Sequence, residues 1–203
     1  MTFVRILFIA SLSLLALFAH ASQPTVLVMG DSLSAGYGIK VEEGWVSLVQ
    51  QELAKKQQAK IINASVSGET TSGGLTRLPT LLSQHKPNIV ILELGGNDGL
   101  RGQPIKIMKE NLQTMIKLSQ DSGAKVVLAG MQIPTNYGAR YTTQFKESYS
   151  QLAEENNVIL IPFLLEGVAA QSELIQNDGI HPTAAAQPLI AKNVLPALLP
   201  LLK

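Results

Sequence analysis

Five short apolar runs recur along this chain, at 25–29, 60–64, 88–94, 125–129 and 158–161, with segments of helical period between them. No other feature restricts the fold as strongly. Several runs are near-continuous in Val, Ile and Leu, as in Val26-Leu27-Val28 and Ile89-Val90-Ile91-Leu92. A strand covered on one face alternates apolar and polar residues. A strand covered on both faces does not, and such strands belong to parallel sheets. Between the runs, Trp45, Leu48, Val49 and Leu53 fall at i, i+3, i+4 and i+8. Ile105, Met108, Leu112, Met115 and Ile116 form a second stripe, and Phe145, Tyr149 and Leu152 a third. We read these stripes as core faces. Residues 73–84 fit a short helix less clearly. Residues 184–202 are rich in Ala and Leu, and Pro188 and Pro196 are expected to start, kink or end a last helix there. Strands alternating with helices predict an α/β domain with a five-stranded parallel sheet, covered on both faces through right-handed crossovers.

Residues 1–21 stand outside this pattern. One positive charge, Arg5, precedes an uncharged and mostly apolar stretch at 6–18, and Ala19-His20-Ala21 supplies small residues at a cleavage site. The stretch suits a signal-peptide core and is short for a membrane span. We expect a leader at 1–21, a mature domain at 22–203, and a periplasmic or secreted protein. The chain has no Cys, so it has neither a lipoprotein attachment site nor a disulfide framework. Losing Arg5 takes the 16 basic residues to 15, equal to the 15 acidic ones. With zero net charge and no basic run, nucleic acid is not an expected partner, and a monomer is the default.

The Gly- and Pro-rich segments follow the strands, at 30–38, 65–74, 95–104 and 130–138. A fifth, at 177–182, precedes the last helix. Loops after parallel strands converge on one sheet edge, where ligands of open α/β sheets bind.

Ser32, in Gly30-Asp31-Ser32-Leu33, is either a helix N-cap or a nucleophile. A serine hydroxyl needs an adjacent base to react at neutral pH. His20 leaves with the leader, and His85 sits in a polar turn. His181 lies in Asp178-Gly179-Ile180-His181-Pro182. On a tight turn, that spacing lets the Asp178 carboxylate reach Nδ1–H and leaves Nε2 as an acceptor, the arrangement serine activation requires. Asp178 is otherwise a turn former. Asn97, in Gly95-Gly96-Asn97-Asp98-Gly99, is a turn residue or an amide donor to a developing oxyanion. Gly68 is a turn glycine or a residue whose missing Cβ admits substrate to its N–H. With the Ser32 N–H these make three candidate donors, each worth roughly 3–4 kcal/mol where such donors have been removed.

Together these segments resemble the GDSL/SGNH hydrolase superfamily. Its four marks stand here in order as Gly30-Asp31-Ser32-Leu33, Gly68, Gly95-Gly96-Asn97-Asp98 and Asp178-Gly179-Ile180-His181. The chain more narrowly resembles the bacterial periplasmic thioesterase I/lysophospholipase branch, also called arylesterases. That match lies in residues 30–37 and 93–102, in Asn136-Tyr137-Gly138 and in 178–182. One departure follows Gly102, where the loop lacks an aromatic before Gln103-Pro104 and puts the acyl-chain preference in question.

The resemblance implies a flavodoxin-like three-layer α/β/α sandwich and a two-step acyl transfer to water. It assigns Ser32 as nucleophile, His181 as base and Asp178 as its orienting acid, with Ser32, Gly68 and Asn97 as oxyanion donors. It implies neither metal nor cofactor. The expected substrates are small acyl esters, thioesters or lysophospholipids, with transient lipid contact. Leu33, Leu100, Ile133, Pro134 and Tyr137 are the candidate lining of an acyl groove, and residues 99–104 are either a lid or an ordinary connection. Three alternatives remain open. They are a carbohydrate O-acetyl esterase, a non-catalytic periplasmic protein that binds lipid or acyl groups, and a flavin- or nucleotide-binding protein. The first loop lacks Gly-x-Gly-x-x-Gly, which weighs against the last.

Overall fold

The computed structural model describes residues 23–202 apart from residue 57. The leader expected at 1–21 lies outside the described residues. The five apolar runs are strands: β1 (Thr25–Gly30), β2 (Lys60–Asn63), β3 (Ile89–Glu93), β4 (Lys125–Ala129) and β5 (Ile159–Ile161). All neighbours pair in parallel, in the order β2-β1-β3-β4-β5. Val26 to Met29 on β1 and Val90 to Leu92 on β3 have no solvent exposure, as continuous apolar runs in a doubly covered sheet require. At the edges, Ile61, Ile62, Ile159 and Leu160 are only half-buried.

The helices are α1 (Ser32–Ala35), α2 (Trp45–Ala54), α3 (Thr71–His85), α4 (Gly96–Leu100), α5 (Ile105–Asp121), α6 (Ala139–Glu155) and α7 (Gln187–Leu198). Strand order fixes which face each one covers. The chain moves one way from β1 to β2 and the other way from β2 to β3 to β4 to β5. Right-handed crossovers therefore put α2 on one face and α3, α5 and α6 on the other. α7 packs against α2, while α5 packs against both α3 and α6. The result is the expected three-layer sandwich.

Local structure refines the sequence reading. α3 begins at Thr71 because the Thr70 hydroxyl accepts the Gly73 N–H at 3.2 Å. The segments after β1 and β3, read above as loops, each contain a short helix, α1 and α4. The last stretch divides into 3-10 turns at Ala184–Ala186 and Leu199–Leu202 around α7. Pro188 sits in the first turn of α7, where its missing N–H costs nothing. Pro196 is tolerated inside the helix, two residues from its end.

Strand order reverses between β1 and β3, which lie side by side but lead to opposite sides of the sheet. The crevice at such a switch point is where α/β sheets of this order hold ligands. Ser32 follows β1 and Asn97 follows β3, so both stand at that crevice.

Candidate active site

Asp31, not Ser32, is the N-cap of α1; its carboxylate accepts the Leu33 N–H at 3.0 Å. Ser32 is thereby the first helical residue, and its hydroxyl is not spent on capping. Ser32 Oγ lies 2.9 Å from His181 Nε2, and His181 Nδ1 lies 2.7 Å from Asp178 Oδ2. An ionised carboxylate only accepts, so Nδ1 carries the proton and Nε2 is free to accept from the serine. The Asp178 carboxylate also accepts the His181 and Ile180 N–H groups at 3.0 and 2.9 Å. These backbone bonds and then the imidazole contact lower its pKa to about 2. Asp178 therefore remains an anion across the whole neutral range.

Glu93, at the end of β3, supports the serine turn from below. Its Oε2 accepts the Ser34 hydroxyl at 2.6 Å and the Asp31 N–H at 3.2 Å. Glu93 is fully buried, and burial followed by the nearby Asp31 charge raises its pKa well above the ordinary value. A Cβ on Gly30 would fall 2.6 Å from both Glu93 Oε2 and Ser34 Oγ, so only glycine fits at 30.

Asn97 Nδ2 donates to Asp31 Oδ2 at 3.0 Å, which fixes one of its two amide hydrogens and leaves the other. Burial, partly offset by the Leu33 and Asn97 bonds, pushes the Asp31 carboxyl up to about 6. Next to Asn97, buried Asp98 accepts both the N–H and the hydroxyl of Thr71, at 2.9 and 2.6 Å. The loop after β2 is thus tied to the loop after β3. Gly68 lies in the first of these with φ +79°, and its carbonyl accepts from Arg101 at 3.1 Å. Gly95 at φ +110° makes the turn into α4, where a Cβ would also meet Tyr149 Oη at 2.3 Å.

A cavity of about 670 Å³ opens beside these groups. Ser32, Asn97 and His181 line it, with Leu33, Leu100, Ile133 and Pro134 among its walls. Gly68 and Tyr137 are not among the residues lining it. The Tyr137 hydroxyl instead donates to the Leu100 carbonyl at 2.8 Å, holding the loop that bears a lining residue. The sequence reading missed Met131, Phe163, Leu165 and Ala170, which add to the apolar wall. The apolar run 163–165 directly after β5 was the available signal. It also missed Glu93, although an acid inside an apolar strand is a signal in itself.

A doubly wound parallel sheet with a serine, an imidazole and a carboxylate in line at its switch point is an arrangement that serine hydrolases share. Residues 28–188 match the family model described as GDSL-like Lipase/Acylhydrolase, and the chain belongs to that family. It is 47% identical over 192 residues to Esterase TesA of Pseudomonas aeruginosa, an alignment covering 94% of this chain and 96% of that one. It is 41% identical over 184 residues to Thioesterase 1/protease 1/lysophospholipase L1 of Escherichia coli strain K12, covering 91% and 88%. Among solved structures it is similar to the psychrotrophic esterase EstA from Pseudoalteromonas sp., inhibited by monoethylphosphonate. That match has a TM-score of 0.84 at 45% identity and covers 88% of this chain and 98% of the other. The protein is an ester hydrolase acting on small-molecule acyl esters. The non-enzyme and flavin- or nucleotide-binding readings are set aside.

Proposed function

We propose that this protein is a serine acyl hydrolase of apolar acyl chains, cleaving esters, thioesters and lysophospholipids through an acyl-enzyme. One observation carries the reading. The Ser32–His181–Asp178 line stands at the wall of a cavity whose other walls are mainly apolar. Ser32 Oγ attacks the substrate carbonyl as its proton passes to His181 Nε2. The Asp178 anion orients the ring and stabilises the imidazolium. The Ser32 N–H and the free Asn97 amide hydrogen receive the oxyanion, and the Gly68 N–H, on the loop beside the cavity, is the third donor that the family resemblance implies. His181 then gives its proton to the leaving alcohol or thiol, and water activated by the same imidazole clears the acyl group.

The apolar walls favour a chain longer than acetyl, since each buried methylene contributes about 0.8 kcal/mol. The names of the relatives support the thioester and lysophospholipid substrates. The reading includes export by a cleaved leader at 1–21, action in the periplasm or outside the cell, a monomeric state and transient contact with lipid.

The test is hydrolysis by the protein from Ser22 onward of p-nitrophenyl esters from acetyl to palmitoyl, of a long acyl-thioester and of a lysophospholipid. Ser32→Ala is the control. Turnover of medium or long chains that vanishes in Ser32→Ala is expected. Activity confined to acetyl esters would move the protein to the carbohydrate esterases.

A further inference from the structure

Ser32 and His181 sit on separate loops, and their contact depends on how those loops are held together. The His181 segment has little regular structure. It doubles back through a single antiparallel bridge between Ile175 and Pro182, with the Gln176 N–H donating to the His181 carbonyl at 2.7 Å. Asp178 and His181 stand on this excursion. On the other side, the Tyr37 N–H donates to the Ser32 carbonyl at 3.1 Å, so Tyr37 moves with the serine turn.

One side chain joins the two. Gln176 Nε2 lies 2.8 Å from the Tyr37 carbonyl and 2.9 Å from the Pro182 carbonyl. An amide nitrogen has two hydrogens, and both are used. The two acceptors belong to the residue after the base and to the loop after the serine. The amide oxygen lies against Gly38, where a Cβ would sit 2.2 Å from it. Gly38 also has φ +75°, so both its backbone and its missing side chain suit the close approach. The brace ends in a ring contact. Tyr37 lies over His181 with centroids 4.4 Å apart and planes tilted by 38°.

We propose that Gln176 is a positioning residue, whose side-chain amide fixes the Tyr37 loop to the His181 turn and thereby sets the Ser32–His181 contact. The inference rests on the serine hydrolase reading above. Gln176 touches no reacting atom. Its effect follows because a displacement of about 1 Å between reacting groups can cost on the order of 100-fold in rate. Substrate binding in the apolar cavity does not pass through it.

Gln176→Met keeps the length of the side chain and removes both donors. Gln176→Glu keeps the shape and puts a carboxylate oxygen against two carbonyls. Both are to be compared with the wild type and Ser32→Ala on a p-nitrophenyl butyrate assay. The rate of phosphonylation by a p-nitrophenyl alkylphosphonate and the melting temperature are measured in parallel. The expected result is kcat lower by about 30- to 100-fold, KM within twofold, and phosphonylation slowed by a similar factor at an unchanged melting temperature. Wild-type kcat in a folded Gln176→Met or Gln176→Glu, beside an inert Ser32→Ala, would overturn the brace alone. A loss confined to KM, or one that follows the melting temperature, would overturn it as well. An active Ser32→Ala would overturn the serine reading and the brace with it.

Discussion

His181 Nε2 lies 2.9 Å from Ser32 Oγ, although 149 residues separate them in the chain. The third member, Asp178, is only three residues from His181 and locks to it through both backbone and ring. Base and acid are therefore one local unit, and the serine is brought to it by the sheet. Asp178→Asn keeps the backbone acceptor and removes the charge that orients Nδ1–H. We expect kcat to fall by roughly 10³- to 10⁴-fold with KM changed far less. Steady-state kinetics on a butyryl ester would check this, and a loss below tenfold would count against the assigned role.

Asn97→Ala removes an amide donor beside the serine. The expected loss is roughly 10²- to 10³-fold in kcat, with folding intact. The same variant frees Asp31 Oδ2 from its partner. A loss that appears wholly in KM would place Asn97 in substrate binding instead.

Asp31 and Asp178 make opposite contributions to stability as pH changes. The Asp31 carboxyl is raised from 3.8 to about 6, first by burial. The folded state then holds the proton more tightly than the unfolded chain. Stability from this group is full below pH 3.8 and is lost as pH rises through 6. Asp178 is lowered from 3.8 to about 2, so its contribution is present above pH 3.8 and is lost as pH falls through 2. Asp31→Asn should therefore gain on the wild type between pH 4 and pH 8. A two-unit shift makes that gain about 2 kcal/mol, or roughly 4–8 °C in melting temperature. A difference that stays flat across this range would show that the Asp31 charge is not penalised by burial.

Gly30→Ala should disturb the floor of the site. Its Cβ would lie 2.6 Å from Glu93 Oε2 and Ser34 Oγ, and Glu93 is fully buried and has nowhere to withdraw. We expect a loss of about 1–3 kcal/mol in urea unfolding, together with a lower kcat as the serine turn shifts. Wild-type values of both would mean that the turn gives way freely.

Ala170 is an exposed residue of the cavity lining, and Ala170→Trp should shorten the space open to an acyl chain. The expected result is a fall of roughly tenfold or more in kcat/KM for decanoyl and longer esters, since several methylenes lose burial worth about 0.8 kcal/mol each. Acetyl ester turnover should be unchanged. Equal effects on short and long chains would place the acyl group elsewhere.

The sequence by itself determined the layers. Continuous apolar runs can be satisfied only by burial on both faces. The alternation of such runs with helical stripes then leaves a parallel sheet between helices. It also marked Ser32, Asn97, His181 and Asp178 as chemically capable, and Asp178 with His181 as neighbours, because a three-residue spacing is a local matter. Only the tertiary structure decided the rest. The reversal of strand order between β1 and β3 brought Ser32 and Asn97 to one crevice. The identity of the α1 cap passed to Asp31, because two side chains compete for the same N–H groups and geometry selects between them. Glu93 under the serine turn and Gln176 across the two loops hold residues distant in sequence. Their partners are mostly backbone groups, such as the Asp31 N–H and the Tyr37 and Pro182 carbonyls. Every residue but proline carries the same backbone groups, so no residue type could announce these contacts before the chain was folded.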